Sequence, residues 1–116
     1  MAITNYGSVI TRVPEADVIA GQAVKATSDT QVAQATTETN FIGFIAQNAT
    51  SASYQCPIIH RGFNGSFHVK VVGTVSAGGL GYVTGSTGYV TGSGTTAVVQ
   101  FEKGGVDGDL VEAHYI

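Results

Sequence analysis

The chain is expected to fold as an all-β protein, and three observations carry that expectation. The segment Gly81–Ser86 reads GYVTGS and, after Thr87, the same six residues return as Gly88–Ser93. Tyr, Val and Thr favour a pleated, half-buried surface, and the Gly-Ser-Thr-Gly join supplies turn dihedrals. Apolar and polar residues alternate along much of the chain, whereas no window sustains the i, i+3, i+4, i+7 spacing of an amphipathic helix. Sixteen glycines, with no Gly-X-Y period, mark many turns rather than a collagen helix.

Taken in order, residues 1–14 stand apart from the rest. Ile3, Tyr6, Val9 and Ile10 are spaced by polar residues, and the segment ends at Arg12-Val13-Pro14, where proline has no N–H to give a ladder. Such a segment reads either as an extended arm that adds to a neighbour's sheet edge or as the first strand of the domain itself. The division adopted is an arm over 1–14 and a single β domain over 15–116. Strands are expected at Ala23–Thr27, Gln31–Ala35, Phe41–Gln47, Tyr54–Ile59, Ser66–Val72, Gly81–Thr84, Tyr89–Thr91, Thr96–Phe101 and Asp109–Tyr115. Phe41-Ile42-Gly43-Phe44-Ile45-Ala46 is apolar on both faces, as suits a covered central strand. Phe67, Val69 and Val71 share one face opposite His68 and Lys70; Ala97, Val99 and Phe101 lie beside Val98 and Gln100. Val111, Ala113 and Tyr115 oppose Glu112 and His114. Asn64-Gly65, between Phe63 and Ser66, has the composition of a type I′ hairpin turn.

A fainter echo joins the two halves. Ala20-Gly21 before one strand and Ala77-Gly78 before another are separated by the same interval as Thr27 and Thr84, Thr30 and Thr87, Ile42 and Val99, or Phe44 and Phe101. That interval is nearly half the chain. Two similar β units, packed as one small sandwich, barrel or tulip-like domain, account for the echo and for the lack of a linker.

The bulk composition narrows the function. Only 11% of residues are charged, against roughly 25% in an ordinary soluble domain, so the surface is either Ser, Thr, Gln and Asn or partly covered by permanent neighbours. A net charge of −3, with five scattered basic residues, argues against nucleic acid, whose phosphates call for clustered Lys and Arg. No apolar run approaches the ~18–20 residues of a membrane helix. Met1-Ala2-Ile3-Thr4-Asn5 lacks the basic and apolar regions of a secretory signal. The sequons Asn48-Ala49-Thr50 and Asn64-Gly65-Ser66 are therefore read as chance.

Candidate chemistry is sparse. His60, His68 and His114 have no metal-ligand spacing between them or with the lone Cys56, which reads as a small buried hydrophobe. His60 and His68 flank Asn64-Gly65 and are expected near one another across that hairpin. No Gly-x-Ser-x-Gly elbow exists, and Gly78-Gly79-Leu80-Gly81 is not followed by the Lys-Ser/Thr of a phosphate loop. Asp107-Gly108-Asp109 lacks the spaced acids of a calcium loop and reads as a turn. No catalytic residue, metal or cofactor is assigned, and the chain is not expected to be an enzyme.

Several segments in sequence resemble the phage capsid cement, or head-decoration, proteins. They are Ile19-Ala20-Gly21-Gln22-Ala23-Val24, Phe41-Ile42-Gly43-Phe44-Ile45, Val69–Thr74 leading to Ala77-Gly78-Gly79, and Asp107-Gly108-Asp109-Leu110-Val111. Order and spacing match from about Asp17 to the C-terminus; the doubled GYVTGS departs from the pattern. The resemblance implies a small, non-enzymatic, all-β virion protein on the outer surface of an icosahedral head. It implies a homotrimer that binds the major capsid protein and bridges capsomers after shell expansion, where many weak contacts act together. Ile3, Tyr6, Val9, Ile10 and Arg12 are the expected contact residues of the arm. Two other readings stay open: a tail- or fibre-associated β domain, and a small carbohydrate-binding module using Tyr54, Tyr82 and Tyr89.

Overall fold

A computed structural model describes residues 9–50 and 55–116, and among them every regular element is a β-strand. The strands are β1 (Val9–Pro14), β2 (Ala23–Ala26), β3 (Gln31–Gln34), β4 (Gly43–Ile45), β5 (Cys56–His60), β6 (Phe67–Lys70), β7 (Leu80–Val83), β8 (Val90–Thr91), β9 (Ala97–Phe101) and β10 (Leu110–Tyr115). The first five close into a barrel of order β1-β3-β2-β4-β5, and the last five form a sheet of order β6-β10-β9-β7-β8.

The two orders are one plan used twice. Read from β3, the barrel runs β3-β2-β4-β5-β1, and each strand's counterpart five places on gives β8-β7-β9-β10-β6. The barrel closes where β1 runs parallel to β3, Val13 opposite Gln31 and Pro14 opposite Val32. In the second unit the corresponding contact is a single parallel bridge, Val71 to Val90. The turns repeat as well. Gln22 N–H donates to Ile19 O and Gly79 N–H to Ser76 O, each at 3.0 Å, around Gly21 and Gly78, both at φ 83°. A bonded i to i+3 turn with positive φ at its third residue is a type II turn, which glycine adopts without a Cβ clash. Antiparallel bridges Val18–Ala49 and Val75–Gly105 complete the correspondence. The half-chain echo in the sequence is thus an architectural repeat, shifted by one residue at β4 and β9. Gly21 N–H donates to Ile45 O as Gly78 N–H does to Phe101 O, so Ile45 and not Phe44 answers to Phe101, and Gly43 and not Ile42 to Val99.

One sequence expectation fails at the join. Asn64-Gly65 does not turn a hairpin: β5 pairs with β1 and β4, β6 pairs with β10, and the two strands belong to different units. A type I′ turn needs positive φ at both central residues, and among the described residues only glycines have it. The turn sits earlier, at His60–Phe63, with Gly62 at φ 91° and Phe63 N–H donating to His60 O. His60 and His68 consequently lie on strands of different units and are not cross-strand partners.

Two clusters hold the units. Val18, Val24, Val32, Ile45, Cys56 and Ile58 fill the barrel, so Cys56 is the buried apolar residue expected. The larger cluster runs from the barrel's outer face into the second unit: Ala23, Phe41 and Phe44 meet Phe67, Val69, Val99, Phe101 and Val111. Phe44 lies 5.6 Å from Phe67 and 6.0 Å from Tyr115, ring centre to ring centre, within the range of favourable aromatic pairs. Strand β4 is therefore covered on both faces, with Ile45 in the barrel and Phe44 in the seam. The link between the hexads also belongs to the seam: Gly88 O accepts from Ala23 N–H at 2.8 Å, Ser86 O accepts from Gln34 Nε2 at 2.7 Å, and Thr87 O accepts from the buried Gln22 amide.

Candidate functional site

The expected contact residues divide along β1. Ile3 and Tyr6 lie outside the described residues. Val9, Ile10 and Arg12 form part of β1, which pairs antiparallel with β5, Val9 opposite Ile59 and Arg12 opposite Cys56. Residues 9–14 are therefore an integral barrel strand. Alternation then sorts their side chains: Ile10 packs on the barrel core, Val9 projects outward at 41% exposure, and half-buried Arg12 donates from Nη1 to Thr11 O.

A second surface was not legible in the sequence. Along the seam, Ala20 and Ile59 of the first unit face Phe67, His68 and Leu110 of the second across an open groove of about 290 Å³. Gly21 lines it as well. Its carbonyl accepts Lys70 N–H at 2.9 Å, and a Cβ there would stand 2.5 Å from Lys70 N and 2.6 Å from Leu110 Cδ2. Leu110 is half exposed beside it, and Leu80, Val106 and Ile116 add further exposed apolar surface on the second unit. Leu80 and Val106 are single apolar residues between polar or glycine neighbours, while Leu110 and Ile116 sit next to Val111 and Tyr115, and neither pattern by itself tells an exposed position from a buried one.

The polar groups converge at one place. Glu102, just beyond β9, accepts Ser66 Oγ–H at 2.8 and 2.7 Å on its two oxygens, and its Oε2 lies 2.9 Å from His114 Nδ1 on β10. The Ser66 hydroxyl, then His114, hold the Glu102 carboxyl below its ordinary range. The carboxylate sits between hydroxyl and imidazole. In a nucleophilic triad the imidazole must stand in the middle to take the serine proton, so this arrangement is a surface hydrogen-bonded cluster centred on the carboxylate and does not activate Ser66. Among the described residues no group of three His, Cys, Asp or Glu is arranged to hold a metal. Asp107 and Asp109 instead accept backbone N–H groups, of Gly73 at 2.8 Å and Val106 at 2.9 Å. The turn expected there is present, with Gly108 at φ 88°.

Of the tyrosines offered for a carbohydrate site, Tyr54 lies outside the described residues. Tyr115 is partly buried, its ring centre 4.5 Å from that of Phe67, and donates to Ile59 O; desolvation pushes the phenol pKa far up. Tyr82 and Tyr89 are half-buried, with Lys70 Nζ lying 5.9 Å from the Tyr89 ring centre.

Against known proteins, the sequence matches no protein-family model and no curated protein. Its fold is similar to that in the crystal structure of the head fiber gp8.5 N base of bacteriophage phi29. The TM-score is 0.74 at 14% sequence identity, over 93% of this chain and 92% of that one. At that identity the likeness establishes a shared fold over nearly the whole of both chains.

Proposed function

We propose that the chain is a structural module of a phage particle, seated on the outer surface of the head by binding the major capsid protein. The observation that carries this reading is the end-to-end likeness to a base domain of a head fiber. It agrees with a head-decoration resemblance reached independently from ordered sequence motifs. The physical profile is compatible: few charges and exposed apolar side chains on the second unit. A homotrimer is part of the proposal, since a repeated lattice rewards many simultaneous weak contacts.

The likeness to a fiber base favours a second form of the same reading. In it the chain is the foot of a fibre or larger appendage rather than a stand-alone clamp across capsomers. The deciding experiment is co-sedimentation of the folded chain with decoration-stripped heads, expanded and unexpanded. Saturable binding to expanded heads is expected, and binding to neither form overturns the head-surface reading. Restored head stability against heat or chelator separates a clamp from a foot, which binds without stabilising. Deleting residues 2–8 tests the expected arm while leaving β1 intact, and unchanged head binding removes Ile3 and Tyr6 from the contact set.

A further inference from the structure

The structure assigns Asn64 as a site of spontaneous covalent modification: conversion of its carboxamide to aspartate and isoaspartate through a cyclic imide with Gly65. The reaction needs a side-chain carboxamide within reach of the next residue's backbone nitrogen and both groups released from other bonds. It is fastest where that next residue has no side chain to obstruct the approach.

The described asparagines differ on each of these points. All three, Asn40, Asn48 and Asn64, are exposed, so access to water does not separate them. The Asn40 oxygen accepts both Thr36 N–H and Thr37 N–H at 3.2 Å, its amide donates to Thr36 Oγ1 at 2.8 Å, and Phe41 follows it. The Asn48 oxygen accepts Ala20 N–H at 2.8 Å, and Ala49 follows. Asn64 is followed by Gly65, and among the described residues no hydrogen bond engages its carboxamide or the Gly65 N–H.

Asp107-Gly108 is an internal control on the same chemistry. Its composition is equally permissive, yet Asp107 Oδ1 accepts Gly73 N–H at 2.8 Å and Gly108 N–H donates to Val71 O at 2.9 Å. Both reacting groups are held there, and both are released at Asn64. The difference follows from the fold: Asp107-Gly108 lies in a turn bonded to neighbouring chain, while Asn64-Gly65 crosses between units where no strand pairs with it.

The step balances with water as the only co-reactant. Gly65 N attacks Asn64 Cγ and loses its proton; the bond from Cγ to the side-chain nitrogen breaks and ammonia leaves. Water then opens the imide at either carbonyl. Opening at the backbone side yields isoaspartate, which routes the main chain through the former side chain. Either product adds one negative charge to a chain of net charge −3, two residues from the Ser66–Glu102 contact. The change falls in the chain between Phe63 and Phe67, whose rings lie 6.3 Å apart.

The test is peptide-resolved mass spectrometry of the folded chain, incubated in mildly alkaline buffer at physiological temperature, with isoaspartyl methyltransferase labelling as a second readout. Amide-to-acid conversion is expected at Asn64 and not at Asn40 or Asn48, and Asn64→Gln abolishes the labelling there. Asp107→Asn places a second Asn-Gly pair in the held site, where conversion is expected to run about five- to thirtyfold slower, the factor that one or two hydrogen bonds impose. Equal rates at positions 64 and 107 in the folded chain overturn the structural argument. Persistence of the Asn64 amide, while the denatured chain converts there, overturns the site itself.

Discussion

The barrel and the second sheet share a strand plan but put different residues on it, and the differences show why one outer face is packed and the other is not. On the barrel's outer face, Ala23, Phe44 and Ile59 lie side by side on β2, β4 and β5. The equivalent positions on β7, β9 and β10 are Leu80, Gln100 and His114. In the first unit that face is apolar and packs on its neighbour; in the second it is largely polar and meets solvent. Inside the units the exchange runs the other way. The barrel holds Val24 and Ile45 where the second unit has Gly81 and Phe101, so a small residue offsets a large one. A Cβ on Gly81 would meet Val99 Cγ2 at 2.6 Å and Phe101 Cζ at 2.9 Å. One backbone plan therefore tolerates two interiors, provided paired volumes are kept.

The largest expected effect breaks the seam. Phe44→Ala removes a fully buried ring and is expected to cost about 3–5 kcal/mol in denaturant unfolding. Gln100→Ala, at the equivalent place, is expected to change stability by less than about 0.5 kcal/mol. Similar losses at both positions would mean that the two faces are not used differently.

The matched turns come next. Gly21 and Gly78 share φ 83°, but a Cβ on Gly21 collides with Lys70 N at 2.5 Å while one on Gly78 meets nothing within 4 Å. Gly78→Ala is expected to cost about 1–2 kcal/mol, the penalty of a left-handed alanine. Gly21→Ala adds displacement of the second unit, for about 1–3 kcal/mol more. Equal costs in thermal or chemical unfolding would deny Gly21 its place in the seam.

Exchange of the interiors sharpens the comparison further. Gly81→Val alone overfills the second unit and is expected to cost about 1–3 kcal/mol. Combined with Phe101→Ile it recreates the barrel's Val24–Ile45 pair, so the double variant is expected to be more stable than the two single losses combined predict. A double-mutant cycle reads that coupling, and strict additivity would show that the two interiors are not interchangeable.

These contrasts explain what the chain revealed in advance. Strands were legible because Phe67/Val69/Val71 and Val111/Ala113/Tyr115 alternate strictly, and the repeat was legible because an Ala-Gly type II turn leads into the second strand of each unit, β2 and β7. The closure was not, since a parallel contact between Pro14 and Val32 leaves no local mark. Asn64-Gly65 misled because turn composition reports what a pair can do, while strand pairing elsewhere decides whether a hairpin forms. The Ser66–Glu102–His114 contact was invisible for a similar reason: its members sit before β6, after β9 and on β10, and meet only when those strands become neighbours.

The smallest effect concerns that contact, which the barrel lacks. Ser66 is the first cause of the depressed Glu102 pKa and His114 the second. An acid depressed in the folded state contributes stability above its unfolded pKa and loses it as pH falls through the folded value. Glu102 is at the surface, where such pairs contribute little, so acid unfolding of Ser66→Ala is expected to overlay that of the parent. The carboxyl itself is the sensitive reporter: its NMR titration in Ser66→Ala is expected to move upward toward the ordinary carboxylate range. An unmoved titration would mean that the hydroxyl does not hold the charge, leaving His114 as its anchor and making the His114→Ala titration the one that shifts.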